Sequence, residues 1–297
     1  MSSRKDVLLA VIVLGAIFAF VLIFSLLVGK GTSTSGDSAF GGNRVGVIDV
    51  IGPIYDSREW VKQIDDFRSN SSIAAMVIRI DSPGGGVAAS QELFYAIRRA
   101  RDAKPVIISM GGVAASGGYY AALGGDFVFA NPGTTTGSIG VILQLLQYYE
   151  LMEKIGIDSD VIKTGKFKDT GSPFRDIDRQ ERQYLEGYAE DAYEQFVEDV
   201  AENREMDPSD VRTLADGRIF TGRQALESGL VDSLGDQWAA IQYAGELGGI
   251  QGEPRTIKPP KKQKLIDLLM EEVSTSIGNQ IDGRPLFQYR WEPGGTP

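Results

Sequence analysis

Short apolar runs alternate with stretches of helical spacing along most of this chain. Arg44 to Ile51 is rich in β-branched residues (Val45, Val47, Ile48, Val50, Ile51) and predicts a strand. From Arg58 to Asn70, Trp60, Val61, Ile64 and Phe67 recur on one side of a helix. A second strand, Ile73 to Ile80, ends at Asp81-Ser82-Pro83-Gly84-Gly85-Gly86, a turn that breaks helices. Val87 to Ala103 reads as a helix with Leu93, Ile97 and Ala100 inward. Val106 to Met110 is a third strand, Ser116 to Leu123 a short helix of small residues, and Phe127 to Ala130 a fourth strand. Strands interleaved with helices imply an α/β fold with a largely parallel sheet and crossover connections. In such sheets the working turns gather at the C-terminal strand ends. Two glycine-rich turns, after Ile80 and after Met110, lie there.

The second half is more helical. Asp178 to Asn203 is a long, charged helix with Tyr184, Tyr188, Phe196 and Val200 at helical spacing. Such a face either covers the sheet or meets another subunit. Thr221 is placed to cap a helix over Gly222 to Ser228, which Gly229 then terminates. Beyond Ile250 the pattern weakens. Pro254 to Lys264 is linker-like, Leu265 to Ile277 fits one amphipathic helix, and Gly283 to Pro297 reads as a flexible tail.

At the other end, Val7 to Val28 forms an uncharged run of 22 residues. At about 1.5 Å per residue it matches a bilayer core of roughly 30 Å. It is long for a signal-peptide core and no small-x-small cleavage site follows, so an uncleaved anchor is expected. Arg4 and Lys5 precede it, placing the N-terminus in the cytoplasm and the rest outside, although Lys30 weakens the asymmetry. The expected organisation is a cytoplasmic N-terminus (1–6), an anchor in the lipid bilayer (7–28), a linker (29–43), one globular domain (44–250) and a C-terminal extension (251–297).

Composition narrows the chemistry. The 297 residues include no cysteine and no histidine. Disulfides and zinc sites with Cys or His ligands are therefore excluded, and no loop has the carboxylate spacing of a magnesium or calcium site. No metal or cofactor is expected. Acidic residues outnumber basic ones by 40 to 30, which argues against nucleic acid as the main partner. Ser116, in Gly111-Gly112-Val113-Ala114-Ala115-Ser116-Gly117-Gly118, has the setting of a nucleophile at a strand-to-helix turn, where small neighbours admit a substrate carbonyl. Without histidine a Ser-His-Asp triad is impossible, and lysine is the usual substitute. Amides of Gly84 or Gly85, together with that of Gly117, are placed to hold an oxyanion.

Three lysines compete for the role of base: Lys163, Lys166 and Lys168. A lysine base must first lose its proton, and the reference pKa of about 10.4 falls only through burial or a nearby cation. Spacing does not choose among the three. A hydroxyl could orient the amine, and Ser138 in Thr136-Gly137-Ser138-Ile139-Gly140 is available.

Several of these segments, taken together and in order, resemble the SppA-type signal peptide peptidases of family S49. They are Asp81-Ser82-Pro83-Gly84-Gly85, the Ser116 segment, Thr136 to Gly140, Gly165-Lys166-Phe167-Lys168-Asp169 with Ser172-Pro173, and Asp216 to Gly222. The likeness covers roughly Arg44 to Leu247. It implies a Clp-protease/crotonase-like fold of repeated β-β-α units behind one transmembrane helix. It implies a serine endopeptidase with Ser116 as nucleophile, Lys168 as base and Ser138 orienting that lysine. It further implies substrates such as remnant signal peptides and other membrane-derived or misfolded peptides. In the short, single-repeat form it implies a homo-oligomer whose dyad is shared between subunits. Two other readings use related parts: crotonase-type enzymes of acyl-coenzyme A share the fold, and stomatin-processing membrane proteases share a Ser-Lys dyad.

Overall fold

The computed structural model describes residues 44–260 and, for the backbone, residues 287–290. The expected membrane span Val7 to Val28 and the expected helix Leu265 to Ile277 lie outside the described residues. Among the described residues no helix is long and apolar enough to cross a membrane. The first half runs β1 (Arg44–Ile51), α1 (Arg58–Ser69), β2 (Ile73–Ser82), β3 (Gly84–Gly86), α2 (Val87–Arg101), β4 (Val106–Ala115), α3 (Gly117–Ala122) and β5 (Phe127–Ala130). Next come β6 (Thr135–Gly137), β7 (Ile142–Leu143), α4 (Tyr149–Ile155), α5 (Arg179–Arg204), α6 (Pro208–Leu214), β8 (Ile219–Thr221) and α7 (Gly222–Glu227). Then follow β9 (Ser233–Leu234), α8 (Gln237–Leu247) and β10 (Arg255–Ile257), with β11 (Phe287–Arg290) near the C-terminus.

The main sheet has the spatial order β10-β1-β2-β4-β5-β9, all neighbours parallel. β6 pairs in parallel with the last residues of β4 and carries antiparallel β8 on its far side. Buried on both faces, β2 is apolar at almost every position. On one face Met76, Ile78 and Ile80 pack with Ile64, Leu93, Phe94, Tyr119, Tyr120 and Phe196. On the other, Val45, Val47, Val77 and Ile107 lie under Ala240 and Ala244 of α8. The mixed α/β architecture with a mainly parallel core agrees with the fold class read from the sequence.

Two elements differ from their expected form. The third strand does not stop at Met110 but continues to Ala115. Between the pairs Ile80–Met110 and Ser82–Ala114, four residues of β4 advance against two of β2. Asp81 fills the resulting bulge, accepting the N–H of Val113 at 3.1 Å. A methyl group on Gly111 would lie 2.6 Å from Asp81 Cγ, so this glycine permits strand packing and not a turn. The long helix α5 starts at a capping box made by Asp178 and Glu181. Only its second half covers the core, through Phe196, Val197 and Val200; Tyr184 and Tyr188 are half exposed. The cap at Thr221 forms as expected, with Gln224 completing it, and Gly229 has φ +75°.

Candidate active site

Ser116 stands where β4 turns into α3, with φ +53° and ψ −119°. Its N–H donates to the Gly137 carbonyl at 2.7 Å, extending the pairing of Ala115 with Gly137 by one residue. Ser138 follows directly, with φ +51° and its own N–H on the Arg218 carbonyl at 2.8 Å. Among the described residues only three non-glycines have positive φ, and two are these serines. Each such conformation costs on the order of 1 kcal/mol or more, and such strain collects where a side chain must be aimed. Both residues are buried, Ser116 to within 1 % of full burial. Neither hydroxyl has a hydrogen-bond partner among the described residues. Both open onto one groove of about 700 Å³, also lined by Val141, Ile142, Tyr193 and Gly217.

The glycine turn lies beside them because Ser82 pairs with Ala114, two residues before Ser116. Ile54 binds one edge of β3, donating to the Gly84 carbonyl at 2.8 Å and accepting from the Gly86 N–H at 2.9 Å. Strand alternation therefore turns the N–H and C=O of Gly85 to the opposite edge. A methyl group on Gly85 would meet the Ile54 carbonyl oxygen at 2.2 Å, so only glycine fits. The Gly84 N–H already donates to Ser82 Oγ at 3.1 Å. The Gly117 N–H, in the first turn of α3, has no partner among the described residues.

The three lysines separate clearly. Lys163 pairs with Asp169, whose carboxyl is held well below the usual range by Arg175 and then by Lys163. Lys166 bonds Gln180 and approaches Asp178 at 3.9 Å. Lys168 is exposed, and its ammonium has no partner among the described residues. The loop bearing all three is anchored by Arg175, which grips Asp169 through two nitrogens (2.9 Å each) and also bonds Glu181. Glu181 is buried, and Arg175 pulls its pKa down to about 2. Lys168 does not line the groove of Ser116 and Ser138. A single chain thus brings together the two serines and the glycine turn, and leaves the lysine outside.

The sequence model of peptidase family S49 matches residues 98–251. A putative protease of Synechocystis sp. is 45% identical over 190 residues, 63% of this chain and 69% of that protein. A putative protease of Methanocaldococcus jannaschii is 31% identical over 261 residues, covering 83% of this chain and 84% of its own length. A putative signal peptide peptidase SppA of Enterococcus faecium is 37% identical over 182 residues, 61% of this chain and 53% of that protein. The chain belongs to peptidase family S49. It is an S49 peptidase of the SppA type, a hydrolase of the serine protease class.

In this S49 chain the groove also holds carboxylates that motif reasoning passed over. Glu186 and Glu190 of α5 and Asp216 all line it. Asp216 is occupied by Arg218, whose Nε lies 2.7 Å from it. The two glutamates are four residues apart and so share a helix face. That spacing was visible in the sequence, but nothing there said which face looks into the groove.

Proposed function

We propose that this S49 chain is a membrane-anchored endopeptidase working through Ser116 and Lys168. The observation that carries the reading is the pair of buried serine hydroxyls, without a hydrogen-bond partner among the described residues, both in strained backbone and opening onto one groove. In this reading neutral Lys168 takes the Ser116 proton as Oγ attacks the scissile carbonyl, and Ser138 orients the amine. The amides of Gly85 and Gly117 hold the developing oxyanion, since that of Gly84 is already engaged by Ser82. The lysine then returns the proton to the leaving amine, and water hydrolyses the acyl-enzyme by the same route.

The lysine reaches the groove from a neighbouring copy. Two observations support this. Lys168 is exposed and outside the groove of its own chain. Around it, residues 142–174 expose Ile142, Leu146, Leu151, Ile155, Ile157, Ile162 and Phe174, and α4 buries none of its residues. An apolar surface of that extent marks a protein interface. Val7 to Val28 would tether the domain to the extracytoplasmic side of the cell membrane. Remnant signal peptides and other apolar, membrane-derived or misfolded segments are the substrates this placement favours.

The test is covalent labelling with a fluorophosphonate probe, followed by peptide mapping. Label on Ser116, lost together with peptidase activity in Ser116→Ala, is the expected result. Peptidase activity that persists in Ser116→Ala would overturn the assignment.

A further inference from the structure

The groove of Ser116 combines carboxylates with apolar surface. Glu186 and Glu190, one turn apart on α5, both line it, and no side chain among the described residues bonds either carboxylate. Like charges at this spacing repel, so the pair does nothing for the helix that carries it. The third carboxylate, Asp216, is already engaged by Arg218. No lysine or arginine is among the described residues that line the groove. Arg182, four residues before Glu186, lines the adjoining pocket and forms no ion pair with it among the described residues. The apolar surface comes from Val141, Ile142, Ala189 and the half-buried ring of Tyr193. Glu186 also borders that adjoining pocket, of about 380 Å³, whose walls include Leu143, Leu145, Ile177 and Leu185. A ligand is expected here on grounds independent of charge. Ser116 and Ser138, only 1 % and 8 % exposed, open onto the same groove with hydroxyls that have no partner among the described residues.

Lysine and arginine are the side chains that fit this lining. Their stems lie along apolar surface while the charged head reaches a carboxylate, and an aromatic ring such as Tyr193 adds attraction for a cation. An acidic substrate residue would instead meet like charge. The rival occupant is Lys168 of a neighbouring copy. Two bare carboxylates beside it would favour its charged form, the opposite of what a base needs. A substrate cation that pairs with them removes the conflict. A basic residue beside an apolar run is also how a signal peptide is built, from a positive n-region followed by an apolar h-region.

We propose that Glu186 and Glu190 form a subsite for a lysine or arginine side chain of the peptide substrate, next to a subsite for an apolar one. The proposal rests on the reading above that Ser116 is the nucleophile of this groove. Both carboxylates are exposed, so each ion pair is individually weak and is screened by salt. The subsite therefore selects among peptides without supplying the bulk of their binding.

The experiment uses the full chain and an apolar peptide carrying lysine, norleucine or glutamate at one position, moved in turn through the residues that flank the scissile bond. At one such position and low salt, kcat/KM for the lysine peptide should exceed that for the norleucine peptide roughly three- to tenfold, with the glutamate peptide below both. The ratio should shrink in about 1 M salt. In the double variant Glu186→Gln, Glu190→Gln it should fall to about one, and Glu190→Lys should favour the glutamate peptide. The ratio compares substrates on one sample, so partial unfolding of a variant does not change it. A lysine preference absent at every position in the unaltered chain, or one that survives in the double variant, would overturn the proposal. A loss equal for all three peptides, with the alkaline rise of kcat/KM moved to lower pH, would overturn it too and assign the carboxylates to Lys168. In each of these cases an inactive Ser116→Ala leaves the active-site assignment standing. Activity that survives Ser116→Ala would remove both.

Discussion

At the residue scale the site is a problem of aiming two hydroxyls. Ser116 and Ser138 adopt backbone conformations that ordinary side chains avoid, and among the described residues neither hydroxyl is consumed by a bond. If Ser116 is the nucleophile and Lys168 its base, they act as one unit. Ser116→Ala and Lys168→Ala should then each lower kcat/KM on the order of 10³-fold or more, with the double variant hardly worse. Lys163→Ala and Lys166→Ala should retain most activity, because their ammonium groups are already committed to Asp169 and to Gln180 and Asp178. A pH series of kcat/KM on peptide substrate should climb from neutral pH into the alkaline range, since a lysine base works only when deprotonated. A plateau already reached by pH 6 would contradict a lysine base.

At the scale of elements, the loop that bears Lys168 hangs on the start of α5. Arg175 ties Asp169 to the buried Glu181, and Glu181 also closes the helix cap with Asp178. Removing the guanidinium leaves a buried carboxylate short of its main partner, so Arg175→Ala should lower stability by about 1–3 kcal/mol, read from chemical denaturation at neutral pH. The same contact has a pH signature. Glu181 titrates near 2 in the folded chain against an ordinary value of 4.5. Its contribution is fully present above pH 4.5 and is lost as pH falls towards 2. Glu181→Gln should flatten that part of the stability–pH curve, and an unchanged slope would show that the ion pair contributes nothing. Most elements here were legible from pattern alone: β1 and β5 match their expected bounds, and the caps at Thr221 and Gly229 form where turn chemistry put them. The extension of β4 was not, because Gly111 and Gly112 read locally as a turn, while their use as strand depends on Asp81 across the sheet. β10 and β11 were hidden for the same reason. Three or four residues carry little periodicity, and their partners lie far away in sequence.

At the scale of the whole molecule, the serines and the glycine turn converge in one chain and Lys168 does not. Motif order made the first group legible, because the ends of neighbouring parallel strands must meet. No sequence pattern states which side of a subunit boundary a loop falls on. Co-assembly decides it. Ser116→Ala and Lys168→Ala chains, each inactive alone, should regain activity when expressed together. With random pairing and one serine and one lysine drawn from adjacent copies, about a quarter of the sites would be complete. Activity that stays at the level of the separate variants, in assemblies shown to contain both chains, would place the base within the same subunit.

The pairing of β4, β6 and β8 carries a consequence for which changes the site can absorb. Ser116 and Ser138 are suspended from main-chain bonds to Gly137 and Arg218, so their positions are set by counting residues along the ladder. Substitution at the half-buried Thr135 should have little effect, whereas Thr136 is held by its hydroxyl bond to the Ala114 carbonyl and Gly137 by its φ of +74° and by Phe220, 2.4 Å from where a Cβ would sit. Loss of a single residue there is another matter: with a side-chain period of two, it would turn Ser138 to the opposite face while leaving the sheet bonded. A library that samples both kinds of change should return substituted survivors at Thr135 and no single-residue deletions. In this region the site is written in spacing before it is written in residue type.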